Sequence, residues 1–394
     1  MKKSLLKKIF NKLSPKKYFI TGLNSGYKNL QYRALLYYKT APLLDKSIVS
    51  SYSHTNLWEI TEIVSILNHF GFVVDVIDRG AKNFIPEDKY DLFIGLTSGG
   101  SGRFFGKYAR AMPHSVKIAL ATTTEPSVAN DRGYARYHEF KERTGIDAPP
   151  MRVFDIGFRE FLSYIDYIFC YGQKGAFSFN SYKKYKKPIY TIMPGTSPHI
   201  NFNPKWLKSR KRNRFVCFAG NGFIYKGVDL LVEAFIKMPD CYLTICGPDS
   251  EKAFFKAYDK IIKTRPNITY EGFIKVGGAR FQELCSACSF VILHSASEGC
   301  CTSVATMMRA GLVPIVNPET GIDVGNFGFL MTDADNKIQD IINTVQEAAR
   351  ISYNEYSSRV YKTLKTSILY TQSSFTEHFT KALLDVMEKE ERFH

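Results

Sequence analysis

The chain has 394 residues, 45% of them hydrophobic, and a formal net charge of +16 from 53 basic and 37 acidic side chains. That is enough chain for two domains with real cores, and no run approaches the roughly 18 to 20 apolar residues of a membrane span. The N-terminus lacks the apolar core and small-residue cleavage site of a secretory signal, and the eight cysteines form no small-domain disulfide framework, so the expected location is the cytoplasm.

Residues 1–17 carry Lys2, Lys3, Lys7, Lys8, Lys12, Lys16 and Lys17 with no acid, and Leu5, Leu6, Ile9, Phe10 and Leu13 recur at helical spacing. This pattern predicts a basic amphipathic helix lying on an anionic membrane surface, peripheral to the cytoplasmic face. Basic stretches at 182–188 and 208–214 push the same way, and no motif of a nucleic-acid module accompanies them. Residues 18–46 read as an extension, with 18–21 as an edge strand. A strand follows at 48–52. A helix at about 56–70 puts Leu57, Ile60, Ile63, Val64 and Leu67 on one face, and Gly71 ends it. Further strands are expected at 72–77, 91–96, 116–121, 167–171 and 189–192, with helices at about 103–111 and 131–144. Strands alternating with helices predict a doubly wound parallel sheet.

Residues 194–213, rich in Pro, Ser, Asn and basic side chains, break the rhythm and read as a linker. The pattern then restarts, with strands at 214–219, 241–246, 268–270, 290–293, 312–316 and 327–331. Helices fill the intervals, and residues 334–389 read as helical. Two stretches in this half carry chemistry. In 218–235 a strand ends at Ala219, Gly220 and Gly222 open a loop, and Lys226 and Gly227 start a helix. A Lys at such a helix start can neutralise a diphosphate that backbone N–H groups also hold. In 289–316 a strand runs into Ser295, Ser297, Glu298 and Gly299, and a helix follows Cys300, Cys301 and Thr302. Parallel sheets bind ligands at this end of their strands. A carboxylate there can take sugar or ribose hydroxyls.

The order Ser295-x-x-Glu298-Gly299, with Gly220, Lys226 and Gly227 before it, resembles GT-B glycosyltransferases of the family 4 (group 1) type that build bacterial cell-envelope polysaccharides. The resemblance spans about residues 214–331. It implies two Rossmann-like domains facing a cleft, at 18–193 and 214–370, with a C-terminal helix at 371–394 crossing back to the first. It implies a retaining, metal-independent transferase of hexosyl type, using a nucleotide-diphosphate sugar and no cofactor. Glu298 and Lys226 are then the catalytic residues. Gly220, Asn221, Gly247, Phe273, Ile274, Ser297, Gly299, Cys300, Cys301, Thr302 and Thr306 are the donor-binding ones. Two positions depart from the family: Asn221 stands where it carries Arg, and Thr306 where it carries a second Glu. These departures are compatible with an altered donor preference or with lost catalysis.

With the basic N-terminus, a lipid-linked or membrane-proximal acceptor is expected. Candidates on the acceptor side are His54, Glu125 and Arg103, all near strand ends of the first half. The rival readings are a catalytically silent binding subunit and a nucleotide-sugar 2-epimerase. An NAD-dependent enzyme lacks its glycine fingerprint. Cys285, Cys288, Cys300 and Cys301 read as small buried thiols rather than a metal site.

Overall fold

The computed structural model describes residues 18–28, 30–50, 55–81, 89–97, 102–157, 160 and 164–393. The amphipathic segment at 1–17, His54 and the glycine turn at 98–101 lie outside the described residues. The N-terminal half builds a sheet from β1 (Phe19–Leu23), β2 (Tyr32–Tyr38), β3 (Phe72–Asp78), β4 (Leu92–Leu96), β5 (Val116–Ala121), β6 (Tyr167–Tyr171) and β7 (Ile189–Ile192). Their order is β1-β3-β2-β4-β5-β6-β7. β1 runs antiparallel at the edge, and the other neighbours are parallel. β4, β5 and β6 are buried along their whole length. Continuous apolar runs of this kind belong in a sheet covered on both faces.

The expected strand at 48–52 is corrected. The strand that pairs with both β3 and β4 is β2, whereas Lys46–Ser50 is helical. Asp45 starts that helix by accepting from the Ser47 N–H at 2.9 Å. In β2 the run Ala34 to Tyr38 is fully buried, and its tyrosines hide it from a reading based on aliphatic runs.

The C-terminal half repeats the plan with β8 (Lys211–Phe218), β9 (Tyr242–Cys246), β10 (Ile268–Gly272), β11 (Cys288–Leu293), β12 (Val313–Val316) and β13 (Phe329–Leu330). The order is β10-β9-β8-β11-β12-β13, parallel throughout. β8 starts inside the basic stretch read as linker, because Lys211 already pairs with Cys288. Just before it, the buried Arg210 donates to Cys285 O at 2.8 Å and to Gly311 O and Ala310 O at 2.7 Å each. A guanidinium on the carbonyls that end two helices is favourable through both hydrogen bonds and helix dipoles. It fixes the start of the second domain.

The helix Gln372–Lys389 crosses back to the first sheet. Phe379 meets Phe169 of β6 edge to face at 5.3 Å, and Phe375 meets Trp58 at 5.4 Å. Two Rossmann-like domains, each a parallel sheet wrapped by helices, therefore face one another across a cleft.

The Pro126–Thr144 helix follows β5 and spans that cleft. Arg143 bonds Glu233 at 3.0 Å and also Asp229, Tyr137 donates to Glu251, and Glu139 accepts from Lys337 at 2.6 Å. At its centre the buried Arg136 donates to His294 O at 2.9 Å and sits 3.1 Å from His294 Nδ1. A guanidinium has only donors, so Nδ1 accepts and the imidazole is neutral. Burial, then the Arg136 charge, push the His294 pKa down from 6.5 to about 3.

A histidine with a depressed folded pKa takes its proton more readily in the unfolded chain, so stability is lost as pH falls from about 6.5 toward 3. Moving from pH 7.5 to 5.5 should cost about 1.4 kcal/mol through this group alone. We expect that part of the urea-unfolding pH dependence to vanish in His294→Asn. An equal pH slope in both proteins would show that His294 is not buried as the neutral form.

Candidate functional site

β8 and β11 are neighbours, but the chain leaves them toward opposite edges of the sheet, β9 and β10 on one side, β12 and β13 on the other. This is the point in such a fold where the loops diverge and leave a crevice. The loops after β8 and β11 meet there: Ala296 N donates to Tyr225 O at 2.8 Å. Gly227 turns the first loop into the Val228–Ile236 helix at φ +70°. A Cβ on Gly227 would collide with His294 O and the Arg136 guanidinium, so this approach needs glycine on two counts.

Glu298 lies midway along the second loop, and both it and Lys226 are buried. Its Oε1 accepts from Lys226 Nζ, from Arg152 Nη1 at 3.1 Å and from Ser295 Oγ at 3.1 Å. Burial alone would raise the carboxyl pKa. The Arg152 and Lys226 charges outweigh it and hold the group at about 2, so it is ionised. The Arg152 guanidinium lies over the Tyr225 ring at 4.7 Å. Two cations thus face one carboxylate, and the crevice floor carries surplus positive charge.

The backbone around Glu298 is held from both domains. Its N–H goes to Glu319 O at 2.8 Å, and its carbonyl accepts from Thr124 Oγ1 at 2.7 Å. Gly299 O accepts from Ser178 Oγ at 2.7 Å, and a Cβ at Gly299 would collide with Thr122 O. The Ser295–Gly299 turn is therefore a contact between domains as well as a strand end.

The expected donor residues gather around this point. Gly220 and Asn221 are exposed at the mouth of the first loop, and a Cβ built on Gly220 would lie 4.0 Å from Lys226 Cε. Asn221 Oδ1 accepts from Ser250 Oγ at 2.9 Å. Gly247, at the end of β9, has no room for a Cβ against Ala219 O. Phe273 is 66% exposed beyond β10, a free face for stacking, while Ile274 is half-buried. Ser297 lies buried beside Tyr225.

Other expected residues are engaged elsewhere. The N–H of Cys301, placed by its position in the phosphate turn, is given to Thr320 O at 2.9 Å. Thr302 opens the Thr302–Arg309 helix, and Thr306 spends its hydroxyl on Thr302 O at 2.7 Å. Burial pushes the Cys285 and Cys288 thiols up to about 12 and raises those of Cys300 and Cys301 as well. Among the described residues no group of His, Cys, Asp and Glu is arranged to hold a metal.

Glu125, expected on the acceptor side, is placed inside the N-terminal half. It is fully buried as the N-cap of the Pro126–Thr144 helix, accepting from Ser127 N and Val128 N at 3.1 Å each. Lys184 and Tyr185 close its other positions at 3.1 and 2.5 Å. A carboxylate with this many donors caps a helix and fastens it to the segment that carries Lys184 and Tyr185. Arg103 belongs to the Gly102–Ala111 helix. The sequence reading missed Arg152, Arg136, His294, Thr124 and Ser178. Arg152 follows Pro149-Pro150, an extended signal that marks a connection but carries no chemistry of its own.

Residues 200–324 match the family described as "Glycosyl transferases group 1". Several solved structures share the fold. Anabaena Alr3699/HepE, in complex with UDP and glucose, aligns with TM-score 0.57 and 11% identity over 90% of this chain and 100% of its own. WaaG, a glycosyltransferase involved in lipopolysaccharide biosynthesis, gives 0.51 and 12% over 89% and 99%. The GtfA/B complex gives 0.52 and 14% over 75% of this chain, which spans only 57% of that one. No curated protein sequence matches. The matched segment holds β8 to β12 with Lys226 and Glu298, and the architecture that the chain shares with these structures is the GT-B fold.

Proposed function

We propose that this enzyme moves a sugar from a nucleotide-diphosphate sugar to a lipid-linked or membrane-proximal saccharide, with retention and without a metal ion. One observation carries the reading: the buried Lys226–Glu298 pair sits at the divergence of β8 and β11, beside the start of the Thr302–Arg309 helix. The leaving group of such a transfer is an anionic diphosphate. Lys226 and the positive end of the helix would stabilise its developing charge, the task a metal performs elsewhere. Glu298, ionised and fixed by three donors, would accept from sugar hydroxyls and orient the ring. The exposed Phe273 would stack on the base.

The UDP and glucose in the Alr3699/HepE structure support this class of donor. Retention rests on the resemblance of the Ser295-x-x-Glu298-Gly299 order to retaining transferases. A membrane-proximal acceptor is supported by the basic segment at 1–17 and by WaaG's place in lipopolysaccharide biosynthesis. Among the described residues no helix is long and apolar enough to cross a membrane, so attachment would be peripheral. The cavity between the domains lined by Arg136, His294, Asn317 and Lys337 measures about 100 Å³. Neither Lys226 nor Glu298 lines it, so the donor would occupy the crevice beside it and be enclosed by closure of the two domains.

A second reading, a silent binding subunit, is favoured by one pair of facts. Thr306 has its hydroxyl tied to the helix backbone, and Asn221 brings no charge. Thermal melts with UDP, GDP, ADP and CMP separate the two. One diphosphate, at a hundred times its dissociation constant, should add about 2.7 kcal/mol of stability, and Lys226→Ala should abolish the gain. No gain with any of them favours the silent subunit. Glu298→Gln keeps the shape but removes the charge, and should slow sugar transfer at least about tenfold; an unchanged rate removes Glu298 from the site. Deleting residues 2–17 should release the protein from vesicles containing anionic lipid, and retained binding would place the membrane contact elsewhere.

A further inference from the structure

We infer that Arg152, carried by the N-terminal domain, is a second ligand for the donor diphosphate, so that the anion is gripped from both sides of the cleft. This rests on the nucleotide-sugar reading above and names a residue that completes its phosphate site.

The backbone around Arg152 is fixed by the Pro126–Thr144 helix. Phe154 exchanges two hydrogen bonds with Asn130, at 2.8 and 2.9 Å, and Met151 N donates to Tyr137 OH at 3.1 Å. Between these anchors the Arg152 side chain runs across the cleft. It passes Gly222, where an added Cβ would lie 3.6 Å from Arg152 Cδ. Its guanidinium settles over Tyr225 and ends on Glu298. It thus enters the loop after β8, where Asn221 supplies no charge and Lys226 is the cation aimed at the crevice.

Charge and access argue in the same direction. Lys226 and Arg152 share one oxygen of one carboxylate, which leaves a net positive charge in a low-dielectric crevice. Such a surplus is costly unless an anion joins it. The Arg152 side chain keeps 24% of its surface accessible and that of Lys226 only 9%, so Arg152 is the more open of the two cations. A guanidinium has five N–H donors in a planar fork, and the bond to Glu298 uses one nitrogen, Nη1. The fork matches two oxygens of a phosphate.

The test is calorimetric titration of the full chain with inorganic pyrophosphate and with UDP, GDP and ADP. Arg152→Ala, and Arg152→Gln as the variant that can still donate to Glu298, should weaken binding about ten- to a hundredfold. Adding Asn221→Arg to Arg152→Ala should recover part of that loss, because it returns a guanidinium to the same loop from the other domain. If Arg152 were only a latch between the domains, removing it would leave binding unchanged or tighter. That result, in variants that melt as cooperatively as the parent, overturns the inference while leaving the donor reading intact if Lys226→Ala still abolishes binding. A parent chain that binds none of the four probes overturns both.

Discussion

A carboxylate buried at the end of a parallel strand needs cations against it, and the way Glu298 obtains two of them organises this molecule. Lys226 comes from the adjacent loop of the same sheet, and Arg152 from the other domain. The first contact is built into the C-terminal domain whatever the domains do. The second exists only when they meet. Bringing them together requires the Ser295–Gly299 turn to press against Thr122–Thr124, which is why Gly299 has no room for a side chain. Closure also requires Arg136 to find an acceptor inside the interface. The neutral His294 ring and its own carbonyl provide two.

Much of this was legible in the sequence. Strands buried on both faces are written as continuous apolar runs, and β4, β5 and β6 fall where those runs lie. The loops around Gly220–Gly227 and Ser295–Gly299 could be placed at strand ends because each follows such a run and precedes a helix. What failed follows from the same logic. β2 has polar and aromatic residues among its aliphatic ones, so its burial comes from neighbours on both edges rather than from its own pattern. The segment 46–50, whose β-branched Ile48 and Val49 suit a strand, is turned into a helix by Asp45 and Ser47. Arg152 was out of reach altogether, because its partner is 146 residues away and no periodicity links them.

Position at a strand end is a weaker guide to chemistry than the bonds a residue already makes. Glu125 and Glu298 both follow strands and both are buried. Glu125 has its oxygens filled by the helix it caps and by Lys184 and Tyr185, so it holds structure. Glu298 concentrates its recorded partners on Oε1, and two of them are cations rather than helix N–H groups. Thr306 makes the same point from the other side. Its hydroxyl bonds back to the carbonyl four residues earlier, as helical threonines do, and is thereby satisfied without any ligand.

The two departures from the family pattern therefore differ in weight. Replacing a glutamate by Thr306 removes a carboxylate from the helix, and the local bond of Thr306 offers nothing in its place. Replacing an arginine by Asn221 removes a charge from a loop into which Arg152 brings one from across the cleft. The site is then short of a hydroxyl acceptor but not of positive charge. In the donor reading, moving a phosphate-binding cation to the opposite domain also changes when it acts. A cation in the same domain binds donor whether the cleft is open or shut. One carried by the opposite domain contributes only on closure, so part of the binding free energy is reserved for the closed state, from which water is excluded. A transferase gains from that arrangement, because the diphosphate is most stabilised in the state where hydrolysis of the sugar is least able to compete.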